Sequence, residues 1–343
     1  MNRTTTRTTP GETKLVICIW HKFTLWQPPP EFTESIRRRW PSMNVVHLPT
    51  YDHVVVELPD TDILVGFSLR REQFSSAKKL KWIHSTAAGV GQLMYPELRQ
   101  SGIVLTNARG IHSAPMAEHI LGMMIAMSRR FPDAFRYQRE AHWAQQEIWD
   151  ARPFELKDKI LLIVGFGSIG RALARVVQPT GMRIWGVTRS GRGSSPSSNN
   201  GQLAERILPA SELHAALPQA DFVLLAAPET PDTQRMIGEK ELASMKRSAY
   251  LLNVARGTLI DQNALIAALR ARTIAGAALD VTEDEPLPPE SPLWKLDNVF
   301  ITPHVSAATD LLWQRQEELL LENLERWFDG RELLNRVDLQ RGY

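Results

Sequence analysis

The sequence predicts an α/β protein of two domains, each with a doubly wound parallel sheet, and a cleft between the domains. Short apolar runs bounded by turn residues alternate with helical patterns from Lys14 onward, which is typical of parallel strands joined by helices. The chain has 343 residues, of which 43% are hydrophobic. It can bury a large core, yet it exceeds the length at which one core usually stops growing, so two domains are expected.

The first part of the chain predicts one flavodoxin-like or Rossmann-like domain. Five short apolar runs are predicted as strands, at 15–19, 43–46, 63–67, 82–85 and 104–107. A helix is predicted over 31–40. A longer helix begins near Pro115, because proline is favoured in the first turn of a helix.

The second part predicts another complete doubly wound domain. Its six strands are predicted at 160–164, 182–187, 222–226, 249–253, 274–279 and 299–302. A final helical pattern over 309–328 ends near Gly330, a residue type that often follows a helix. Because no strand follows this helix, we expect it to return to the first domain.

The motif VGFGSIG lies between an apolar run and an Ala/Val-rich helical pattern. In a dinucleotide-binding turn, Gly165 supplies the tight bend, Gly167 lets the backbone approach a pyrophosphate and Gly170 allows close packing of helix on strand. Ser168 and Ile169 stand at the helix start, where free N–H groups can face phosphates. A merely structural glycine-rich turn is the alternative, but the flanking strand and helix favour a dinucleotide.

The end of the second strand of this domain indicates which dinucleotide binds. Thr188, Arg189, Ser190 and Arg192 stand where a carboxylate usually accepts the ribose 2′-hydroxyl of NAD. Guanidinium and hydroxyl groups can instead hold a 2′-phosphate. NADP is therefore favoured, with NAD as the alternative cofactor. The other interpretation is a solvated basic turn that leads into the polar stretch 193–201.

These patterns predict the domain boundaries. We expect a dinucleotide-binding Rossmann domain at 116–309, a substrate domain at 13–115 plus 310–343, and a disordered start at 1–12. The first residues are rich in Thr and lack the apolar segment of a secretory signal.

Three strand ends in the second domain carry residues suited to moving a hydride and a proton. Arg256, Glu285 and His304 follow the fourth, fifth and sixth strands, and ligands in open α/β sheets bind beyond such ends. An arginine can clamp a carboxylate, a histidine can exchange a proton near neutral pH, and a neighbouring carboxylate can orient the ring. By the same rule, four further residues are expected to contact the cofactor: Ala227, Pro228, Val254 and Ala255.

In this order and spacing, the strings VGFGSIG, NVARGTLID, ALDVTEDEP and TPHVSAAT resemble the D-isomer-specific 2-hydroxyacid dehydrogenase family, in particular glyoxylate/hydroxypyruvate reductases. The resemblance covers roughly residues 60 to 340. It implies that Arg256 binds the substrate, that Glu285 is the carboxylate partner and that His304 is the acid/base. It also implies that Asp280 holds the nicotinamide carboxamide.

The resemblance extends to STAAGVG in the first domain, which is similar to the family loop that receives the substrate carboxylate on backbone N–H groups. Ala88, Gly89 and Val90 are the candidate substrate-binding residues. Many relatives carry Asp where Gly91 and Gln92 stand, so the sequence leaves open which residues brace this loop.

The resemblance implies an NAD(P)-dependent reductase of a small 2-oxo acid such as glyoxylate or hydroxypyruvate, which forms the D-2-hydroxy acid. The alternative is a cofactor-sensing binding protein similar to the C-terminal binding protein corepressors, which share this fold. Slow turnover on every oxo acid, with assembly that depends on cofactor, would distinguish the second class.

The composition and residue spacing argue against several classes of binding partner. A net charge of +2 argues against nucleic acid, and no apolar stretch is long enough to span a membrane. The run Arg37-Arg38-Arg39 fits a solvated helix face. No histidine has a metal-like spacing, so no metal is expected. Cys18 is the single cysteine and fits a reducing, cytoplasmic setting.

A homodimer is expected by resemblance, because the family usually pairs two cofactor domains near the helix that begins at Pro115. An apolar face for this contact is predicted from Met123, Met124, Met127, Phe131, Phe135 and Trp143.

Overall fold

The computed structural model describes residues 9–192 and 203–340, and the chain divides into two compact units. Unit 1 contains the stretches before His112 and after Ala307, and unit 2 is His112–Ala307. Most of the start predicted to be disordered lies outside the described residues. Its last part differs from that prediction: Pro10–Glu12 form a short 3-10 helix, because the Thr9 hydroxyl donates a 2.8 Å hydrogen bond to the Glu12 carboxylate.

Unit 1 contains a five-stranded parallel sheet in the order β2-β1-β3-β4-β5. Its strands are β1 Lys14–Cys18, β2 Asn44–Leu48, β3 Ile63–Gly66, β4 Trp82–Ser85 and β5 Val104–Thr106. Its first helices are α1 Pro30–Arg39, α2 Val54–Glu57, α3 Arg71–Phe74 and α4 Pro96–Ser101. Because all these strands are parallel, their carboxyl ends share one edge of the sheet.

Unit 2 contains a seven-stranded parallel sheet in the order β12-β11-β10-β9-β6-β7-β8. Its strands are β6 Ile160–Val164, β7 Arg183–Thr188, β8 Arg206–Pro209, β9 Phe222–Leu225, β10 Tyr250–Asn253, β11 Gly276–Leu279 and β12 Val299–Ile301. Its helices are α5 Ser113–Ser128, α6 Phe131–Arg139, α7 Gln145–Asp150, α8 Ser168–Val177, α9 Leu213–Ala216, α10 Glu239–Ser244 and α11 Gln262–Arg270. Strand order reverses at β6, which is where doubly wound sheets bind nucleotides. The predicted fold class, two α/β domains with parallel sheets, is confirmed.

Sequence analysis did not predict β8, the edge strand of the second sheet. Its two apolar residues, Ile207 and Leu208, are only partly buried beside β7. A four-residue strand with so little alternation gives a weak periodic signal, since an edge strand has fewer buried positions than a central one.

The last helix, α12 Leu312–Asp329, packs on the unit 1 sheet and ends at Gly330. Its Leu320 and Leu324 are buried against β1, β3 and α1. Burying leucine side chains contributes about 1.5–3 kcal/mol each. The helix therefore belongs to the same core as the first strands of the chain.

The methionines of α5 do not form the exposed apolar face that was predicted for a dimer. Met123, Met124 and Met127 are at most 5% exposed, because α5 packs on the unit 2 sheet and on α8 within the same core. Phe131 and Phe135 on α6 are exposed. In the described part of the chain, no helix is long and apolar enough to cross a membrane.

Candidate active site

The glycine turn between β6 and α8 is tightly packed at two of its glycines and open at the third. Gly165 has φ +97°, and a Cβ atom there would lie 2.5 Å from the backbone of Ala226 and Ala227. At Gly170 a Cβ atom would lie 3.0 Å from Ile163 Cγ2, so the helix packs tightly on the strand. Around Gly167 a Cβ atom would meet nothing within 4 Å. This open position at a helix start is where a pyrophosphate can approach the backbone.

The first turn of α8 supplies donors for that pyrophosphate. Within residues 9–192 and 203–340, no protein acceptor binds the backbone N–H groups of Ser168, Ile169 and Gly170, whereas Arg171 N–H donates to Gly167. Free N–H groups at a helix start attract anions. The residues of this turn therefore fit the pyrophosphate of a dinucleotide.

The end of β7 forms a compact basic turn. The Thr188 hydroxyl donates to the Arg192 carbonyl at 3.1 Å, and Ser190 forms a bridge with Pro209. The Arg189 guanidinium lies 3.5 Å from the Asp232 carboxylate, but both side chains are more than three-quarters exposed. Such an exposed pair is weak, so the guanidinium can exchange this partner for a ligand.

The loop that follows β9 lies beside the glycine turn and is closed by its own hydrogen bonds. The Thr233 hydroxyl donates to the Pro228 carbonyl at 2.7 Å and accepts from Thr230 N–H at 2.8 Å. Ala227 is buried at the start of this loop. Ala227 and Pro228 thus stand at the strand end that adjoins Gly165.

His304 and Glu285 are in direct contact. His304 Nδ1 lies 2.6 Å from Glu285 Oε2, and both side chains are partly open to solvent. Glu285 Oε1 accepts from Thr282 N–H at 3.3 Å, which fixes the second carboxylate oxygen. His304 Nε2 is therefore the ring nitrogen that can meet a substrate.

The loop that carries His304 is braced by Asp280. Its Oδ1 accepts from the Thr302 hydroxyl at 2.6 Å and from Val305 N–H at 2.9 Å, and its Oδ2 accepts from Ser306 N–H at 3.0 Å. Burial acts to raise the pKa of Asp280, but the hydrogen bonds from Ser306, Thr302 and Val305 outweigh it and hold the pKa below the ordinary value. His304 itself has φ +54° and donates its N–H to the Asp280 carbonyl at 2.8 Å.

The hydrogen bonds of Asp280 in the structure stabilise a loop, whereas the resemblance implied that this residue holds the nicotinamide carboxamide. Its side chain is fully buried, and both carboxylate oxygens serve the loop after β12. A contact of Asp280 with the nicotinamide carboxamide stays a prediction.

His119 on α5 adds a second polar contact to this loop. His119 Nε2 lies 3.0 Å from the Thr302 hydroxyl and 3.8 Å from Asp280 Oδ1. Burial lowers the pKa of His119, and the Asp280 charge opposes that shift. Sequence analysis gave His119 no specific role, because this residue lies on α5, far along the chain from the motifs that contain Asp280 and Thr302.

Arg256 is positioned by Asn253, which is fully buried at the end of β10. Asn253 Nδ2 donates to the Arg256 carbonyl at 2.8 Å, and its Oδ1 accepts from Ala255 N–H at 3.0 Å. Val254 between them is also buried, whereas the Arg256 side chain is exposed. A buried amide directly after three apolar strand residues is the signal that could have identified this brace.

Gly257 brings the Arg256 loop against the loop that carries Glu285. A Cβ atom at Gly257 would lie 1.9 Å from the Thr282 carbonyl carbon. Only glycine permits this approach. Arg256, Glu285 and His304 thus follow β10, β11 and β12, three neighbouring strands of one sheet.

The predicted carboxylate loop of unit 1 follows β4. Within the described parts of the chain, the N–H groups of Ala88, Gly89 and Val90 have no protein acceptor. Ala88 and Gly89 are exposed, and Val90 is buried. Three consecutive free N–H groups can receive an anion.

Three amide side chains brace this loop. Asn107 Nδ2 donates to the Ala88 carbonyl at 2.7 Å, Gln316 Nε2 to the Thr86 carbonyl at 2.7 Å, and Gln92 Nε2 to the Phe67 carbonyl at 2.6 Å. Sequence analysis missed Asn107 and Gln316. No group of three or more His, Cys, Asp or Glu that could hold a metal ion occurs among the residues that the structure describes.

Comparison with known proteins identifies the family. Residues 121–306 match the family model for the D-isomer specific 2-hydroxyacid dehydrogenase, NAD binding domain. The chain belongs to this dehydrogenase family. The resemblance in the four motifs is thereby confirmed, and unit 2 carries an NAD(P)-binding domain of an oxidoreductase family.

Among relatives of this dehydrogenase, a glyoxylate reductase of Korarchaeum cryptofilum (strain OPF8) is 36% identical over 282 residues, which are 80% of this chain and 82% of the relative. A D-isomer specific 2-hydroxyacid dehydrogenase from Xanthobacter autotrophicus Py2, solved with NADPH and MES, has a TM-score of 0.80 and 28% identity, and the match covers 97% of this chain and 100% of that one. An NADPH-dependent glyoxylate/hydroxypyruvate reductase from Sinorhizobium meliloti, solved with NADP and sulfate, has a TM-score of 0.78 and 26% identity, and the match covers 96% and 100%.

Proposed function

We propose that this dehydrogenase reduces a small 2-oxo acid, such as glyoxylate or hydroxypyruvate, to the D-2-hydroxy acid and prefers NADPH. The observation that carries the proposal is the 2.6 Å contact between His304 and Glu285 on the sheet edge that also holds the glycine turn. A histidine oriented by a carboxylate is suited to donate a proton to an alkoxide. The relatives named glyoxylate reductase and glyoxylate/hydroxypyruvate reductase support the substrate class.

In this reaction the reduced nicotinamide supplies a hydride to C2 of the oxo acid. Glu285 holds His304 by Nδ1, so Nε2 gives its proton to the oxygen that gains charge at C2. Arg256 holds the substrate by its guanidinium, and the N–H groups of the 88–90 loop receive the carboxylate. Orientation of the substrate by these groups supplies part of the rate enhancement.

The preference for NADPH rests on the turn after β7. Thr188, Arg189, Ser190 and Arg192 offer hydroxyl and guanidinium donors, and the strand ends without a carboxylate. Charge-assisted hydrogen bonds from arginine suit a 2′-phosphate. Two neighbours of this fold were solved with NADPH or NADP, which supports the same choice.

We also infer a homodimer and a cytoplasmic setting. Phe131 and Phe135 on α6, together with Trp143, present exposed aromatic rings that a second copy could cover. Large exposed aromatic groups are enriched at interfaces. The buried Cys18 thiol fits a reducing compartment. Light scattering of the purified chain tests the dimer, and a monomeric mass contradicts it.

The deciding experiment follows NADPH and NADH oxidation with glyoxylate and hydroxypyruvate in parallel. We expect turnover with both acids and higher kcat/KM with NADPH. Replacement of both arginines by Ser (Arg189→Ser with Arg192→Ser) should raise KM for NADPH and leave KM for NADH nearly constant. Arg175→Ser on α8 is the matched control for a lost exposed arginine. A tenfold preference of the wild type for NADH, about 1.4 kcal/mol in the opposite direction, contradicts the cofactor proposal.

The role of His304 is tested by His304→Ala, with the exposed His214→Ala as control. A general acid contributes roughly 10²–10⁴-fold, so kcat should fall by that order while the Kd for NADPH, measured by fluorescence, is retained. Unchanged kcat would remove the proposed role of His304.

A further inference from the structure

An aromatic cluster lies at the carboxyl edge of the unit 1 sheet, next to the 88–90 loop. It consists of His21, Phe23, Trp26 and Phe67. The His21 ring centroid lies 5.2 Å from that of Phe23, 6.3 Å from that of Trp26 and 6.2 Å from that of Phe67. These separations are those of interacting aromatic rings. The four rings therefore form one connected surface.

This aromatic cluster is open to a ligand. Phe23 is 56% exposed, and the neighbouring Trp20 is 48% exposed. The cluster lies in the segments that follow β1 and β3, where open α/β sheets bind their ligands. Phe23 is thus exposed, and the other three rings are partly buried, at the binding edge of the sheet and not on its outer helices.

The cluster is tied directly to the predicted carboxylate loop. β1, β3 and β4 are consecutive in the sheet, so the ends of β1 and β4 lie about 10 Å apart. Gln92, two residues after Val90, donates to the Phe67 carbonyl at 2.6 Å. An acid whose carboxylate binds the 88–90 loop therefore has its side chain within reach of Phe67 and the rings beside it.

Hydrogen bonds within the segment hold the rings in place. Phe23 N–H donates to His21 Nδ1 at 3.1 Å, and Gln27 Nε2 donates to the His21 carbonyl at 2.7 Å. From α12, Trp313 Nε1 donates to the Leu25 carbonyl at 2.9 Å. A surface held in this way binds a rigid ring with little ordering cost.

We propose that the aromatic cluster is the subsite for the substrate side chain and that it extends the substrate range from the small acids to 2-oxo acids with an aryl group on C3. This inference rests on the proposed reduction of 2-oxo acids and adds the side-chain class. An aryl ring gains edge-to-face or stacked contacts with Phe23 and Phe67, which glyoxylate, with a hydrogen in that position, cannot make. Specificity then follows from contacts that only the larger acid forms.

The test compares kcat/KM for phenylpyruvate and glyoxylate in the full-length enzyme with NADPH. We expect the wild type to reduce both acids. Phe23→Ala should lower the ratio of the two kcat/KM values at least tenfold, mainly through a higher KM for phenylpyruvate. Phe23→Leu, which keeps apolar bulk without the ring, should lower the ratio less. Trp149→Ala removes another exposed aromatic ring, in unit 2, and should leave the ratio unchanged.

Each other outcome overturns the inference in a recognisable way. If glyoxylate is reduced and phenylpyruvate is not, the subsite is wrong while the proposed function stands. If Phe23→Ala lowers kcat/KM equally for both substrates, the ring has a structural role. If the variant instead changes the mass of the oligomer, the cluster binds a second copy of the chain. If no oxo acid is reduced, the proposed function itself fails.

Discussion

The imidazole Nδ1 of His304 and the carboxylate Oε2 of Glu285 are 2.6 Å apart, on loops that follow two neighbouring strands. This contact assigns a direction to the ring, since only Nε2 is left to face a substrate. A backbone hydrogen bond also fixes the position of His304, because its N–H donates to the Asp280 carbonyl. His304 is thus held by two contacts, one from its ring to the Glu285 side chain and one from its backbone N–H to Asp280.

The first prediction concerns the charge of Glu285. Glu285→Gln keeps a hydrogen-bonding group beside His304 but removes the negative charge next to the ring. We expect kcat to fall by about 10- to 100-fold, less than for loss of the acid itself, with little change in the Kd for NADPH. Glu283→Gln, two residues away and paired with Arg235, is the control. Equal kinetics of the two variants would contradict a role for Glu285.

The fold class and the candidate site residues can be predicted from the sequence because both leave local patterns in it. Glycines with unique backbone requirements and polar residues at strand ends leave a local signal, as at Gly165 and His304. Buried parallel strands leave another, as continuous apolar runs. The fold class and the family are confirmed, and the roles of the individual site residues stay predictions.

The parts that sequence analysis missed depend on contacts between distant segments. Gln316 braces the loop at Thr86 across 230 positions of sequence, and no local pattern encodes that distance. The burial of Met124 depends on what α5 packs against, which its composition does not reveal. Asp280 was assigned to the cofactor by resemblance, whereas its visible hydrogen bonds hold the loop that carries His304.

The second prediction concerns Asp280 as a brace. In Asp280→Asn the amide nitrogen cannot accept from Ser306 or Val305, so one buried N–H loses its partner. We expect a loss of about 1–3 kcal/mol in the free energy of unfolding at pH 7, together with lower kcat. Urea unfolding measures the first quantity. Asp284→Asn, on an exposed loop, is the control.

The same group predicts a pH dependence. Because the pKa of Asp280 is held below its ordinary value in the folded protein, its contribution to stability is present above the unfolded pKa and is lost as pH falls through the folded pKa. The stability gap between wild type and Asp280→Asn should therefore be full near neutral pH and shrink at acid pH. A gap that stays constant down to the acid limit of folding contradicts the charged brace.

The third prediction compares two glycines. Gly257→Ala would place a methyl group 1.9 Å from the Thr282 carbonyl carbon, so the Arg256 loop must move. We expect a higher KM for the oxo acid and a lower melting temperature. Gly122→Ala lies inside α5 with nothing within 4 Å of the new methyl group, and there alanine should stabilise the protein by about 0.5–1 kcal/mol. Opposite signs in thermal unfolding are the expected result, and equal signs contradict it.

The last prediction concerns His84, which is fully buried on β4. Its Nδ1 lies 2.9 Å from the Thr106 hydroxyl, which also accepts from Trp82 Nε1 at 2.9 Å. Burial lowers the pKa of His84 to about 4, because desolvation disfavours the charged form of the ring. The neutral ring is therefore part of the folded core.

The sign of the effect follows from proton binding. Between the unfolded pKa of 6.5 and the folded value of about 4, the unfolded chain binds more protons at His84 than the folded one, so stability falls as pH decreases through this window. The shift corresponds to a loss on the order of 3 kcal/mol by pH 4. His84→Gln cannot titrate, and the slope of its unfolding free energy between pH 6.5 and 4 should be smaller than that of the wild type. His214→Gln, on the exposed side of α9, should keep the wild-type slope. Identical slopes for His84→Gln and the wild type would mean that the buried ring is not the titrating group.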